Sequence, residues 1–184
     1  MLQRVVDTTT DMIDHTSSSQ LANPTLCTDW TVKDLINHMV TGATMFAISA
    51  EQGSIPDAEL GRLMSTDNVG TDPQGAWGTA SKRALAAFEA PGAMEKIVKL
   101  PFGEMPAGVA LNIAIFDVAT HSVDLARATG QTVSDTQMLE GALALAHQML
   151  GPDLRAPGIF GAEQPCAPDA PVDDRLLAFA GRQI

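Results

Sequence analysis

The sequence predicts an all-α protein: a bundle of four main helices, an extra C-terminal helix, and a minor β or irregular element near 94–101. Three observations predict it. Apolar residues recur at spacings of three and four over long stretches, which places them on one helical face. Ser, Thr, Asp, Gly and Pro punctuate the ends of those stretches, where helices start and stop. Hydrophobic residues are 45% of the chain, yet aromatics are only 4% and Tyr is absent, so the core must come from Leu, Ile, Val, Met and Ala. That palette suits helix-on-helix packing better than a β-sandwich.

Residues 2–18 read as the first helix, with Leu2, Val5, Val6, Thr9, Met12, Ile13 and Thr16 on one face. A loop with Pro24 follows. The second helix opens at Thr31, whose hydroxyl can cap it, while Asp34 can reach back to the free amide. Trp30 and Leu35 stand where a hydrophobic staple closes. Its stripe runs through Val32, Leu35, Ile36, Met39, Val40, Ala43, Phe46, Ala47 and Ala50 to a Gly53 near the end. Residues 53–71 are rich in Gly, Ser, Asp and Asn, and read as a loop with at most a short helical turn around 57–64. The third helix has Asp72 as its cap and Pro73 in its first turn, and Pro91-Gly92 ends it. Residues 94–100 read as a lone edge strand or irregular cover, punctuated by Pro101, Gly103 and Pro106. The fourth helix spans about 106–129 and stops at Gly130. A fifth starts at a Ser134 cap with Gln137 three residues on and runs to Leu150. The prolines of 151–172 predict an ordered wrap or a flexible tail, and a short helix over about 173–180 closes at Gly181. With no internal repeat, 1–184 reads as a single domain, of which 151–184 is the C-terminal wrap and short helix.

Charge and cysteine content narrow the function. A net charge of −11 repels phosphate backbones and anionic lipid, so neither nucleic acid nor membrane is an expected partner. No apolar run approaches 18 residues and no signal peptide is present, which predicts a soluble, cytoplasmic protein. Cys27 and Cys166 belong to no CxxC pattern and fit a reducing compartment as two ordinary thiols.

The fourth helix carries the chemistry. Val109, Leu111, Ile113, Ile115, Phe116, Val118, Val123 and Leu125 make it apolar nearly all round, the mark of a central helix. Asp117, His121 and Asp124 nevertheless share one face of it, at spacings of four and three. A buried carboxylate needs a partner, and a cation is the economical one. The plainer alternatives are an i,i+4 pair on a wet face or a satisfied core histidine. Asp124 reads as a carboxylate orienting His121, or as a partner of Arg127. A third ligand must come from another helix. His38 flanks the stripe of the second helix with small Gly42 one turn on, whereas His15 and His147 are more easily explained as solvated or partly buried.

The segment CTDWTVKDLINHMV, from Cys27 to Val40, resembles the second-helix signature of the DinB-like superfamily. It is most similar to the branch named for the N-terminal domain of mycothiol-dependent maleylpyruvate isomerase. FDVATHSVDLARATG, from Phe116 to Gly130, resembles the fourth-helix signature. LPFGEMPAG at Leu100–Gly108 and DDRLLAFAGR near the end resemble a largely uncharacterised actinobacterial group of the same superfamily. The resemblance implies an up-down-down-up bundle, which the long connection after the second helix suits as a crossover. It implies that His38, Asp117 and His121 are the metal ligands. Two departures stand out. The isomerase has Glu where this chain has Asp117. It also has a second domain, for which 184 residues leave no room, so maleylpyruvate isomerisation is not expected to carry over.

Two imidazoles and one carboxylate are the ligand count of a catalytic rather than a structural zinc site, with a position left open. Nickel, iron and manganese suit the same trio. No catalytic side chain is identified; the reacting group would be a water, brought to a pKa of roughly 7, or a thiolate. The resemblance implies mycothiol or a similar low-molecular-weight thiol as co-substrate, an electrophilic second substrate, and a transferase or isomerase-like reaction. The alternatives are a metal- or small-ligand-binding helical protein without catalysis, and a purely structural metal. The superfamily often dimerises through the bundle, so a homodimer is a further expected partner.

Overall fold

Seven α-helices and one two-stranded hairpin make up a computed structural model that describes residues 1–151, 155 and 160–184. The all-α class with a minor β element is the observed one. The helices are α1 (Leu2–Asp14), α2 (Val32–Gln52), α3 (Asp57–Ser65), α4 (Pro73–Glu89), α5 (Ala107–Thr129), α6 (Thr136–Met149) and α7 (Val172–Phe179). The strands are β1 (Ile97–Leu100) and β2 (Gly103–Pro106).

α1 and α2 each pack against both α4 and α5, and α6 and α7 close over α5. The core is aliphatic: Ile13, Leu35, Ile36, Met39, Leu125, Leu139 and Leu176 are fully buried, with Trp77 and Phe116 the largest aromatic fillers. Each such side chain contributes about 1.5–3 kcal/mol by leaving water. α5 is the one described helix long and apolar enough to cross a membrane, and 83% of its most apolar window is buried inside the protein.

Helix ends follow local chemistry where a side chain can reach. The amide of Asp34 donates to Thr31 Oγ1 at 3.2 Å, and the amide of Thr31 donates to Asp34 Oδ2 at 2.9 Å, which completes the capping box of α2. Asp72 accepts from the Gly75 amide to start α4. Gly53 and Gly130 end α2 and α5 with φ of 84° and 72°, a conformation that costs glycine nothing.

Four local expectations are corrected. The first helix ends at Asp14 rather than 18, because Ser17 and Gln20 engage each other, the Ser17 amide donating to Gln20 Oε1, and wind a separate 3₁₀ turn at Ser18–Gln20. The 57–64 stretch is a full helix, α3, seated on α2 through Leu63. The 94–101 element is a hairpin rather than a lone strand, with Ile97 opposite Pro106 and Leu100 opposite Gly103. Val98 and Leu100 turn inward, so burial against α2 orders a strand whose partner, Gly-Glu-Met-Pro, has no strand pattern of its own. Finally, Asp135 rather than Ser134 caps α6, accepting from the Met138 amide while Arg4 of α1 pairs with its carboxylate. Within the proline-rich stretch 151–172, expected to wrap or trail, residues 152–154 and 156–159, Pro152 and Pro157 among them, lie outside the described residues.

The loop between α1 and α2 is tied to the end of α5. Gln20 and Asn23 side-chain amides donate to the carbonyls of Thr129 and Ala128, which have no partner further along the helix. This places residues 25–30 beside the polar stripe of α5.

Candidate metal centre

Asp117 and His121 stand one turn apart on α5, on the side that meets α2. His38 comes from α2, one turn beyond the capping box. Gly42 follows one turn later, and a side-chain carbon there would lie 3.9 Å from Asp117 Oδ2, so α2 offers the carboxylate bare backbone.

The three side chains converge. Nε2 of His38 and Nε2 of His121 each lie 3.5 Å from the same atom, Oδ1 of Asp117. The two imidazole centroids are 4.7 Å apart with ring planes crossing at 72°. All three donor atoms fall within 4.8 Å of one another. A charge-assisted N–H···O bond is shorter, at about 2.7–2.9 Å. Ligands bound at about 2.1 Å around a tetrahedral ion stand about 3.4 Å apart. The 3.5 Å spacings therefore match the edges of a coordination shell better than those of a hydrogen-bonded pair. These donors fit a divalent ion in charge, in type and in spacing.

Behind His121 lies a second polar layer. Its Nδ1–H donates to Asp124 Oδ2 at 2.9 Å, which leaves Nε2 to face Asp117. Asp124 is wholly buried, and Arg182 Nη2 donates to the same oxygen at 2.8 Å. Cys27 Sγ is 3.4 Å from both Asp124 Oδ2 and Arg182 Nη2. Cys27, His121 and Asp124 could by spacing hold an ion themselves, but the Arg182 guanidinium already supplies a cation there. The His38–Asp117–His121 group has no such competitor among the described residues.

Burial and charge compete at each group. Burial pushes the Asp117 carboxyl up, but the facing imidazoles of His38 and His121 outweigh it and hold the carboxyl well below the usual carboxylate range. Burial lowers His121, but Asp117, Asp124 and Cys27 together raise it well above the ordinary histidine value. Asp124 is likewise lowered overall, because His121 and Arg182 overcome the effect of its burial. The surrounding carboxylates thus favour a proton on His121, and a divalent ion bound at the three donors would displace it.

The donors open onto a cleft of about 1350 Å³. Cys27 and Trp30 of the α1–α2 loop, Phe116 and Thr120 of α5, and Phe160 and Arg182 of the C-terminal segment form its walls. The His38 side chain is 38% exposed, whereas that of His121 is 7% exposed.

A family model described as the mycothiol maleylpyruvate isomerase N-terminal domain matches residues 2–126. The chain belongs to this family. Two relatives are uncharacterised proteins of Mycobacterium tuberculosis, from strains CDC 1551 / Oshkosh and ATCC 25618 / H37Rv. Each is 36% identical over 184 residues, spanning 99% of this chain and 96% of the relative. No solved structure matches the chain.

Within this member of the mycothiol maleylpyruvate isomerase N-terminal domain family, other charged residues of the bundle are engaged elsewhere. Asp34 is spent on the α2 cap, Arg83 pairs with Glu51, and Arg127 pairs with Asp173 and Asp174 rather than with Asp124. His15 sits exposed beside Asp11, and His147 packs on Phe179 with centroids 4.3 Å apart. Sequence reasoning missed Cys27 and Arg182, and gave Trp30 only a capping role. Trp30 lies with its ring 4.9 Å from that of His38 and 6.0 Å from that of His121. Cys27 and Trp30 open the segment that carries the second-helix signature, and Arg182 closes the familiar C-terminal one, so the signal lay in those segments rather than in helical periodicity.

Proposed function

We propose that His38, Asp117 and His121 bind a divalent metal, and that the protein uses it with a low-molecular-weight thiol of the mycothiol type as a transferase or isomerase-like enzyme. The observation that supports this best is the convergence of three donor atoms in the wall of an open cleft. The family's description, which names mycothiol, supports the choice of thiol. Zinc suits the trio first, and nickel, iron and manganese share the preference for imidazole and carboxylate. When bound, such an ion would keep an open position at which a thiol is held as thiolate at neutral pH.

The chain's own residues supply the rest. Asp124 takes the Nδ1–H of His121 and so orients the Nε2 lone pair. Trp30 packs its ring beside both imidazoles. The cleft exceeds the about 300–1,000 Å³ of a pocket for one drug-sized molecule, so a thiol and an electrophile can sit in it together. Two free cysteines agree with a reducing compartment, and cytoplasmic residence is part of the proposal.

Elemental analysis of the purified chain tests the site. Stoichiometric metal that is lost in His38→Ala is expected, and substoichiometric metal unchanged by that substitution overturns the site. Incubation with mycothiol and a panel of electrophiles then tests the chemistry. Chelator-sensitive formation of thiol conjugates is expected; bound metal with no conjugate from any electrophile turns the conclusion to a metal- or ligand-binding protein without catalysis.

A further inference from the structure

Arg182 stands in the turn after α7, far beyond the 2–126 stretch that the family model matches. Its guanidinium nonetheless reaches the centre. Nη2 donates to Asp124 Oδ2 at 2.8 Å, and Nε approaches Asp124 Oδ1 at 3.4 Å, so both carboxylate oxygens are engaged. The oxygen that takes the shorter contact is the one that accepts the Nδ1–H of His121. Nη1 donates to the carbonyl of Ala180, which folds the side chain back onto its own turn.

That turn is closely packed. Gly181 has φ of 92°, and a side-chain carbon there would come 2.7 Å from Gly161 Cα. The Gln164 amide donates to the Ala178 carbonyl at 2.9 Å across the same junction. The cleft wall built by 160–164 and 180–183 therefore connects through one side chain to the carboxylate behind His121.

A carboxylate held at one oxygen can rotate, and an imidazole can place its proton on either nitrogen. Held at both oxygens, the plane of Asp124 is fixed, and with it the nitrogen of His121 that carries hydrogen. We infer that Arg182 is a positioning residue for the metal centre, acting through Asp124 to set the orientation and tautomer of His121 and so the strength of metal binding. This rests on the metal site proposed above and adds a determinant of its affinity from the C-terminal wall. The plainer account is that Arg182 only anchors the C-terminal segment to α5. Arg127 provides the control, since it ties α5 to the first turn of α7 through Asp173 and Asp174 and touches neither Asp124 nor His121.

The test compares the full wild-type chain with Arg182→Met, Arg182→Lys, Asp124→Asn and Arg127→Met. Zinc affinity is read by competition with a chromophoric chelator, and the His121 Nδ1–H resonance is read by NMR in the zinc-loaded protein. Arg182→Met and Asp124→Asn are expected to weaken zinc binding about 10- to 100-fold, the usual cost of losing a group behind a ligand, and to shift or broaden that resonance. Arg182→Lys keeps the charge but cannot hold both oxygens, and should fall between; it carries the test if the Met variant does not fold. Arg127→Met should lower the thermal midpoint and leave zinc affinity unchanged. Wild-type zinc affinity and an unaltered resonance in the Arg182 variants overturn the positioning role alone. A wild type that binds no zinc overturns the site and this role with it.

Discussion

Replacing Asp117 with Asn removes the one charge that the His38 and His121 imidazoles share, while keeping the shape of the side chain. Both Nε2 atoms stand 3.5 Å from Asp117 Oδ1, so this carboxylate is the hub of the proposed site. Structural zinc sites with four ligands bind with about 10–16 kcal/mol, or about 3 kcal/mol for each ligand. At about 1.4 kcal/mol per decade, loss of one ligand weakens binding on the order of a hundredfold. With free zinc at a hundred times the wild-type Kd, the wild type gains about 2.7 kcal/mol of stability from the metal and the variant only about 0.4 kcal/mol. A protein of this size shifts its midpoint by about 2–4 °C per kcal/mol, so the difference is about 5–9 °C. Calorimetric melts of both proteins, with zinc and with chelator, measure it. The chelator-treated pair serves as the baseline, so any effect of the substitution on the metal-free fold cancels. A variant that keeps the full wild-type response to zinc refutes Asp117 as a ligand, and with it the reasoning from spacing.

Three further outcomes are expected. His38→Ala should abolish the zinc response with little cost to the metal-free fold, because His38 is part-exposed; His121→Ala should do the same and also destabilise the metal-free protein by about 1–3 kcal/mol, since buried Asp124 loses a partner. Equal metal-free melts for the two variants would contradict this. Because His121 is raised in the metal-free fold, its contribution to stability should be complete below the unfolded histidine value of about 6.5 and fade as pH rises through the folded value, whereas that of Asp117 should be present above about 3.9 and fade as pH falls. Metal-free melts across pH should therefore peak in the weakly acidic range, and zinc affinity should climb with pH as the His121 proton is displaced; flat profiles would contradict both. Gly181→Ala should destabilise by about 1–3 kcal/mol in urea titration, because a side-chain carbon at φ of 92° meets Gly161, and a neutral result would mean the two glycines do not pack as described.

Much of the helical layout is legible in the sequence. The Thr31–Asp34 box, the Asp72 cap with Pro73, and the Gly53 and Gly130 stops were read from neighbours a few residues apart and are present as read. So was the burial of α5, whose apolar residues surround a polar stripe. Misreadings arose where a distant partner decided a local choice. Asp135 displaced Ser134 as cap in company with Arg4, 131 residues away, and β2 took strand form because β1 was already buried beside it.

The same division runs through the candidate centre. Sequence alone identified Asp117, His121 and Asp124 as one face of a buried helix, because a helix fixes the neighbours of a residue at three and four positions along. It also pointed to His38, through the likeness of its segment to a known family. Only the packing of α2 on α5 brought His38 to within 3.5 Å of Asp117, across 79 residues of chain. Only the return of the C-terminal segment set Arg182 against Asp124 and against Cys27, the latter 155 residues away. Periodicity and caps are properties of a few consecutive residues, set by backbone hydrogen bonds and short side chains. Contacts between distant residues depend on how whole helices fill one shared core, and that is decided by the sum of many side-chain volumes rather than by any local pattern.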